Sequence, residues 1–345
     1  MISLAHGAGG ELMEKLIEEH ISQRFPQHRG EVTLSDLDDS SVIDGIFFTT
    51  DTYTVAPIFF GKKDIGTLAI SGTVNDLLAT GAEPLALSLG LVIEEGFPIT
   101  DLDRVMTSVS ATAEKGEVQI ITGDTKVVER GGVKNMIINT SGIGRRSPLL
   151  DGNFDVVKKF RGFKSDYLLD SNVKPGDQII LSGPIADHGI AIISYREGYG
   201  FESDVESDCA PLNGIVNSAL RVGGIVDMKD PTRGGIANCL NEISRRSKVS
   251  LIINEDRVPL NNPTKAACDM LGLDPLEIGN EGKMILCVVK EKAEEVLSAI
   301  RKTENGKKAS IIGMAEKGNK VIMETKTGGK RIIDKPYGDP IPRIC

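Results

Sequence analysis

The end of the chain is the feature that most limits how it can fold. Pro336, Pro340 and Pro342 lie close together there, and each fixes its own backbone angle and lacks an amide donor. This spacing disfavours a helix and an interior strand and stiffens an extended segment. The last residue is Cys345, whose thiol is open to oxidation unless another part of the protein receives it. A frayed end is the ordinary interpretation of such a sequence.

The residues beside Cys345 favour a functional arm over a frayed end. Ile341 and Ile344 supply apolar side chains that can dock in a pocket. Arg343 places a positive charge near the thiol, which favours the thiolate. We therefore predict a mobile tail over residues 325–345 with Cys345 as its nucleophilic tip, and we expect the rest of the chain to act on that tip.

Composition argues against several classes of protein. The formal net charge of −9 disfavours nucleic-acid binding. No run approaches ~20 apolar residues, so we expect no membrane partner. The five cysteines lack CxxC spacing and fit neither a disulfide framework nor a zinc site. The N-terminus has no signal-peptide pattern, which predicts a cytoplasmic protein. Four of the cysteines are expected to be reduced residues of the core: Cys209, Cys239, Cys268 and Cys287.

A chain of 345 residues is long enough for two domains, each with its own core. Hydrophobic periodicity predicts an α/β first half and an α+β second half. The predicted organisation is a Gly-rich segment with a helix (1–35), an α/β domain (36–155), a connection (156–176), an α+β domain (177–324) and the tail (325–345). The predicted helices lie at 11–24, 65–80, 101–114, 236–245, 263–271 and 291–301. The predicted strands lie at 46–50, 84–92, 118–122, 133–143, 178–182, 249–253, 284–289, 309–315 and 321–325.

Acidic residues recur where predicted helices and strands end or are interrupted. Asp76 stands inside an otherwise apolar helix pattern, where a charge is costly unless it is paired or bound to a metal. Carboxylates suit Mg²⁺, which commonly bridges substrate phosphates. Because no GxxxxGK[ST] P-loop occurs, the pattern predicts a Mg²⁺–nucleotide enzyme of another type. A solvated turn is the alternative for the acidic cluster that contains Asp39. The candidate metal ligands are Asp39, Asp51, Asp76, Asp124 and Asp230.

Two glycine-containing turns precede predicted helices and offer backbone N–H groups to an anion. Gly9 and Gly10 precede the first helix, and Gly234 follows Arg233 before the helix at 236–245. Helix N-termini of this kind hold phosphate groups. A flexible terminus and an ordinary capped loop are the respective alternatives. Compensating positive charge is available from Arg233, Lys126 and Lys134.

Several short motifs together resemble the ATP-binding superfamily of aminoimidazole-ribotide synthetase, also called PurM-like. They are TTD at 49–51, VNDLLATGAEP at 74–84, GDT at 123–125 and DPTRGG at 230–235, in the family's order. Within this superfamily, HGAGG at 6–10 and PRIC at 342–345 resemble the HypE family of hydrogenase-maturation proteins. Ala8 stands where many relatives carry glycine, and alanine tolerates most conformations outside the left-handed region.

The resemblance implies a PurM-like two-domain fold whose N-terminal domain forms a homodimer through its strands. It implies an enzyme that uses ATP and Mg²⁺ to dehydrate an S-carbamoyl group on Cys345 to a thiocyanate. The implied carbamoyl donor is a HypF-type carbamoyltransferase. Cyanide would pass to iron on a HypC–HypD-type complex for the [NiFe]-hydrogenase centre.

Dehydration of a carbamoyl group requires a base and a group that orients the substrate. Glu281 is the candidate base and Lys134 the candidate orienting residue, beside Cys345 as the carrier. A turn cap is the alternative role for Glu281, and a solvated strand end the alternative for Lys134. The candidate nucleotide-binding residues are Gly9, Gly10, Asp51, Asn75, Asp76, Asp124, Thr125, Asp230, Arg233 and Gly234.

Two further functions remain open on sequence alone. One is another PurM-like phosphotransferase, such as a thiamine-monophosphate kinase or a selenide-activating enzyme. The other is a non-catalytic carrier whose arm moves a modified thiol between partners. A cysteine at the end of the sequence argues against the kinase. ATP turnover that requires a carbamoylated Cys345 would separate the dehydratase from the carrier.

Overall fold

The computed structural model describes residues 1–25, 30–34, 38–199, 205–338 and 340–345. The predicted domain boundary at 35–36 lies outside the described residues, as does residue 339 of the predicted tail.

The first half of the chain is built around one mixed sheet. The elements of this half are α1 (Glu11–Leu16), β1 (Ser41–Ile43), β2 (Ile46–Tyr53), β3 (Phe59–Phe60), β4 (Lys63–Asp64), α2 (Ile65–Ala79), β5 (Ala82–Glu94), α3 (Ile99–Lys115), β6 (Gln119–Val128), β7 (Met136–Arg146) and α4 (Leu149–Phe160). The strands of the sheet follow the order β1-β2-β7-β5-β6, in which only β5 and β6 run parallel. A short β3–β4 hairpin lies beside the sheet.

The second half is a larger mixed sheet flanked by helices. The elements of this half are β8 (Gln178–Leu181), α5 (Asp187–Glu197), α6 (Asn213–Val222), β9 (Ile225–Lys229), α7 (Gly235–Ser247), β10 (Val249–Asn254), α8 (Asn262–Leu271), β11 (Ile285–Val288), α9 (Ala293–Ile300), β12 (Ser310–Lys317), β13 (Val321–Glu324) and β14 (Lys330–Ile332). The strands of the sheet follow the order β14-β13-β10-β12-β8-β11-β9, with β10 and β13 as the parallel pair. The α/β and α+β classes predicted for the two halves are therefore confirmed.

Helix α2 lies at the junction of the two halves. Asp64 caps its N-terminus, because the backbone N–H groups of Gly66 and Thr67 donate to Asp64 Oδ1 at 2.9 and 3.2 Å. Nearly every residue of α2 is buried, as expected of a helix that is apolar on all sides. It packs on α3, on strands of its own sheet, and on α6 and β9 of the second half. The helix therefore carries its few polar residues into the interior.

The predicted connection at 156–176 is part of the folded core. The amphipathic helix α4 spans the predicted boundary at 155–156, and Leu150 and Phe154 are buried. Asn153 exchanges hydrogen bonds with Ile225, donating to its carbonyl and accepting from its N–H, both at 2.8 Å. Helix α4 thus packs on the second half. Its polar face and the glycines around it concealed the helical period.

The tail begins later than residue 325. Strand β14 pairs antiparallel with β13, and the Ile333 N–H donates to the Val321 carbonyl at 2.9 Å. Ile333 is buried. The polar and glycine-rich sequence before β14 forms a hairpin turn, and this composition resembled a linker. Residues 334–345 are the part that leaves the sheet.

Strand β6 is longer than predicted. It continues to Val128 in parallel register with β5, so Asp124 and Thr125 lie within the strand and not beyond its end. Both residues are exposed. The strand lies at the edge of the sheet with almost all of its side chains in solvent. An exposed edge strand has no apolar alternation to mark its length, which explains the short prediction.

No helix among the described residues is long and apolar enough to cross a membrane.

Asp187, the first residue of α5, gives the fold a measurable pH dependence. Its carboxylate accepts hydrogen bonds from Asn261 Nδ2 at 2.7 Å and from the Thr264 hydroxyl. Burial raises the pKa of Asp187 from 3.8 to about 6. The folded state therefore binds this proton more tightly than the unfolded state. Stability that is present below pH 3.8 is lost as the pH rises through about 6.

We predict that Asp187→Asn removes this loss. Relative to the variant, the wild-type protein should lose about 2 kcal/mol of unfolding free energy between about pH 4.5 and 7.5. Urea unfolding of both proteins at the two pH values measures the difference. An identical pH dependence in both proteins would contradict the assignment.

Candidate functional site

A cavity of about 310 Å³ opens between the two halves of the chain. The first half contributes the end of β2, the middle of α2 and the start of α1. The second half contributes the loop after β9, and the tail contributes Cys345. The residues that line it and that bear on its chemistry are Gly9, Gly10, Asp38, Asp39, Asp51, Tyr53, Asp76, Lys229, Asp230, Arg233, Glu242, Glu281 and Cys345.

Three carboxylates from separate parts of the chain meet on one wall of this cavity. Asp51 lies on β2 and accepts a hydrogen bond from the Tyr53 hydroxyl at 3.0 Å. Asp76 lies on α2 and accepts from the Thr49 hydroxyl at 2.9 Å. Asp230 follows β9. Burial, then the charges of Asp51 and Asp230, raise the pKa of Asp76 well above its ordinary value. Carboxylates that oppose each other's ionisation in this way fit a bound cation.

Asp39 joins the same wall and is held by a buried lysine. Lys229 Nζ lies 3.2 Å from Asp39 Oδ1, 3.5 Å from Glu242 Oε2 and 3.7 Å from Asp170 Oδ2. Burial lowers the pKa of Lys229, but these carboxylates, led by Asp170, outweigh it and raise that pKa. Burial also raises the pKa of Asp39 to about 6. The other oxygen of Asp39, Oδ2, is buried and has no hydrogen-bond partner among the described residues, so this residue has a coordination position to offer.

Glu281 reaches the cavity from the loop before β11 and is almost fully buried. Burial, followed by the charges of Asp230 and Asp208, raises its pKa well above the ordinary value, while Arg233 opposes the shift. A carboxyl with a raised pKa is suited to exchange protons near neutral pH. Its backbone N–H donates to Asp208 Oδ1 at 3.2 Å, which fixes the loop and with it the side chain.

The two glycine-containing turns close one side of the cavity together. Gly9 and Gly234 both have positive φ, at +78° and +75°, and Gly234 is the N-cap of α7. A Cβ on Gly9 would collide with the backbone and Cβ of Arg233. The glycines therefore let the turn before α1 lie directly on the turn before α7.

The tail is docked on the body, and its tip enters the cavity. Ile341 and Ile344 are each 1% exposed, which confirms the prediction that they dock. Cys345 lines the cavity between the two halves and also a second cavity of about 290 Å³, whose lining includes Pro342, Arg343 and Ile344. The charge of Cys345 is the main cause of a raised pKa at Arg233. The Arg343 guanidinium instead donates to the Thr54 carbonyl at 3.1 Å.

The docking of residues 340–345 balances opposing terms of similar size. Burial of two isoleucines contributes about 3–6 kcal/mol, and ordering six backbone residues costs about 6–12 kcal/mol. Hydrogen bonds to the tail's main-chain oxygens supply about 1 kcal/mol each, and more from a charged donor. These terms cancel to within a few kcal/mol, so the tail can stay docked most of the time and still be released without unfolding the body.

Five of the predicted site residues do not line the cavity. Gly234 is the N-cap of α7, next in the chain to the lining residue Arg233. Asn75 crosslinks the two halves, since its Nδ2 donates to the Ala210 carbonyl at 3.1 Å and its Oδ1 accepts from the Leu212 N–H at 3.0 Å. The other three are exposed at the edge of the first sheet. Asp124 forms an ion pair with Lys126 at 2.9 Å, Thr125 lies beside it on β6, and Lys134 lies in the turn before β7.

Some residues that build the site were not predicted. Lys229 ends a strand whose residues are all buried, and a charge in such a strand is as conspicuous as Asp76 in its helix. That strand was itself missed, although the apolar run before Lys229 was a usable signal. Thr54, His188 and Arg196 hold the tail. No local pattern marks them, because they meet the tail only in the folded chain.

Matches to known families define the class of this two-domain protein. Residues 37–146 match the N-terminal domain of AIR synthase related proteins, and residues 174–326 match the C-terminal domain. The chain is thus an AIR synthase related protein with a carboxylate-lined cavity between its two halves. A thiamine-monophosphate kinase of Aquifex aeolicus, 17% identical with a TM-score of 0.64, shares the fold.

Relatives of similar length then identify the particular family. A putative hydrogenase expression/formation protein of Methanocaldococcus jannaschii is 46% identical over 100% of this chain and 99% of the relative. Carbamoyl dehydratase HypE of Azotobacter vinelandii is 40% identical over 100% and 97%. The chain belongs to the HypE family of carbamoyl dehydratases.

Solved structures agree with this assignment. A crystal structure of a HypE–HypF complex contains a chain that is 40% identical, with a TM-score of 0.84 over 93% of this chain and 99% of that chain. A structure of HypE in complex with ATP is 38% identical, with a TM-score of 0.80 over 100% of both chains.

Proposed function

We propose that this protein uses ATP to dehydrate an S-carbamoyl group on Cys345 to a thiocyanate. The thiocyanate then supplies cyanide to iron during assembly of a [NiFe]-hydrogenase centre. The observation that carries the proposal is the position of Cys345 in the same cavity as Asp51, Asp76, Asp230 and Glu281. Phosphoryl transfer and proton removal can then occur at one place on a thiol that the chain itself delivers.

ATP would bind with its phosphates at the carboxylate wall and the glycine turns. Mg²⁺ takes one or two carboxylates per ion and completes its coordination with phosphate oxygens and water. Within the described ranges no group of three or more His, Cys, Asp or Glu side chains is placed to hold a metal ion. Asp39, Asp51, Asp76 and Asp230 are the proposed ligands. The ion would neutralise charge on the phosphates.

The reaction requires the carbamoyl oxygen to become a leaving group. That oxygen attacks the γ-phosphorus of ATP, an O–P bond forms and ADP departs. Arg233, whose charge faces Cys345, holds the oxygen in position and stabilises the charge on it. Glu281 accepts one N–H proton as the O–P bond forms and passes it to solvent, and it accepts the second as the C–O bond breaks and inorganic phosphate leaves. The product on Cys345 is S–C≡N, and the oxygen lost from the carbamoyl group ends in phosphate.

The same thiol must meet two partners outside the cavity. The solved HypE–HypF complex supports a HypF-type carbamoyltransferase as donor, and we propose a HypC–HypD-type iron complex as acceptor. Residues 334–345, about twelve residues at ~3.3 Å each, span up to ~40 Å when extended. This length suffices for Cys345 to leave the cavity. We place the reaction in the cytoplasm, where the four buried cysteines stay reduced.

The outer face of the first sheet is the proposed homodimer interface. Phe48 on β2 is 45% exposed, and Ile121 on β6 is 61% exposed. Exposed apolar side chains on a sheet with an open edge favour pairing with a second copy. In such a dimer Asp124 and Thr125 on β6 would contribute to the nucleotide site of the partner copy. The role of Lys134 stays a prediction.

We predict that the double variant Phe48→Asp, Ile121→Asp is a monomer at micromolar concentration, whereas the wild-type protein is a dimer. Buried aspartates across a two-fold axis would repel each other. Light scattering measures both masses. Ile332→Asp, on the exposed face of β14 in the second half, is the control and should remain dimeric. A monomeric wild-type protein would contradict the prediction.

We predict that Asp76→Ala and Asp230→Ala each lower the affinity for Mg²⁺–ATP by about a hundredfold or more without unfolding the protein. Each variant removes a carboxylate from the wall, and the loss also relieves repulsion there, so the fold is retained. Calorimetric titration measures the affinity. Asp155→Ala, at an exposed position on α4, should bind normally. Normal affinity in either cavity variant would remove that residue from the nucleotide site.

We predict that Glu281→Gln accepts a carbamoyl group on Cys345 but does not convert it to a thiocyanate. The amide cannot take up the N–H protons. Intact mass spectrometry after incubation with a HypF-type donor system, with and without ATP, follows both steps. Wild-type protein should gain the mass of one carbamoyl group, and it should then lose the mass of one water only when ATP is present. Cys345→Ser should gain no mass. Conversion at the normal rate in Glu281→Gln would transfer the role of base to another residue.

A further inference from the structure

The body of the protein holds the tail through hydrogen bonds to the tail's main chain. The main-chain oxygens of four consecutive tail residues each accept a hydrogen bond from the body. Arg196 donates to Pro342 and Arg343, His188 to Ile344, and Thr54 to Cys345. An unbroken series of this kind fixes the position of the tail along the groove, because a shift by one residue would misplace all of these acceptors.

Arg196, near the end of α5, connects the tail to the body through the hydrogen bonds of a single guanidinium group. Its Nη1 donates to the Pro342 oxygen at 2.6 Å and its Nη2 to the Arg343 oxygen at 2.8 Å. Its Nε donates to the Ala56 oxygen at 2.7 Å, and the Ala56 N–H donates back to the Arg343 oxygen at 3.2 Å. A planar guanidinium with donors in fixed directions suits such bridging, and lysine cannot reproduce it.

His188, about two turns earlier on the same helix, holds the residue before the tip. Its Nε2 lies 2.8 Å from the Ile344 oxygen and its Nδ1 lies 2.8 Å from the Ser207 hydroxyl. Because a carbonyl can only accept, Nε2 carries the proton. The ring is fully buried with its edge against Phe60. Its position therefore cannot adjust to a displaced tail.

Glycines shape the pockets for the two tail isoleucines. A Cβ on Gly279 would collide with Ile344 Cδ1. A Cβ on Gly189, in α5, would lie 3.4 Å from Ile341 Cδ1 and would collide with Ile278. The groove thus combines main-chain contacts with two side-chain pockets that are matched to isoleucine.

We infer that Arg196 and His188 are positioning residues that hold the tail in this groove and thereby set how often Cys345 lies in the cavity. The inference rests on the proposed function for its chemical purpose. Released tails are open to the carbamoyl donor, whereas docked tails are placed for dehydration. Weaker docking of the tail should therefore speed the uptake of carbamoyl by Cys345 and slow its ATP-dependent dehydration. A general loss of stability would not change the two rates in opposite directions.

The test is the rate at which iodoacetamide modifies Cys345 in the full-length protein, followed by peptide mass spectrometry. It needs neither ATP nor a carbamoyl donor, so its outcome is separate from that of the proposed function. Arg196→Gln should react about tenfold faster than wild type, because two bonds from a charged donor are lost. Arg221→Gln, at an exposed arginine of α6, is the matched control and should react at the wild-type rate. The buried thiols of Cys209, Cys239, Cys268 and Cys287 report on the body and should stay unmodified.

A wild-type rate in Arg196→Gln overturns the inference. Acceleration that extends to the four buried thiols overturns it as well, because Arg196 would then stabilise the body and not the tail. His188→Gln retains a donor near the Ile344 oxygen and should react within about twofold of wild type, whereas His188→Leu should react faster. Equal rates in these two variants would remove His188 from the groove. With a carbamoyl donor and ATP present, Arg196→Gln should take up carbamoyl at least as fast as wild type but convert it more slowly.

Discussion

Burial of like charges at the junction of the two halves is the constraint on which the structure depends. Asp51, Asp76 and Asp230 reach one wall from a strand, a helix and a loop, and burial and mutual repulsion hold the pKa of Asp76 and Asp230 high. Such an arrangement is unfavourable by itself. It persists because the surrounding core is large and because Lys229 supplies one buried positive charge. A cation with a polyphosphate would relieve the remaining repulsion.

The tail has a different role, which is to bring a reactive thiol to this wall and to release it again. Most cysteines of the chain are buried, and burial raises the pKa of Cys209 and Cys268 to about 12, so these thiols are inert. Cys345 is delivered by contacts to the main chain and by two isoleucines, and the opposing free-energy terms nearly cancel. The body can therefore hold the tip while the reaction proceeds and yet lose it to a partner. Stronger docking would protect the thiol but would impede its transfer.

The sequence supported the prediction of the fold class and of most helices and strands, because their hydrophobic periods were clear. Hydrophobic periodicity failed to predict an element where the sequence did not show it clearly. Helix α4 followed a glycine-containing segment and resembled a linker, and β6 had no buried face to mark its end. Among site residues, Asp76 was recognisable because a charge inside an apolar helix is costly. Asn75, its neighbour, has the same sequence signal but crosslinks the two halves, since a helix directs adjacent residues to different sides.

By itself, the sequence determined the tail's chemistry and character: prolines that prevent a helix, isoleucines that need burial, and a thiol at the tip. It also determined which residue types were available for a cation and for proton transfer. Only the tertiary structure decided where the tail docks and which acids share a wall. Thr54, His188 and Arg196 lie far apart in sequence from the tail oxygens that they bind. Such contacts depend on the mutual placement of whole elements, and no local period records that placement.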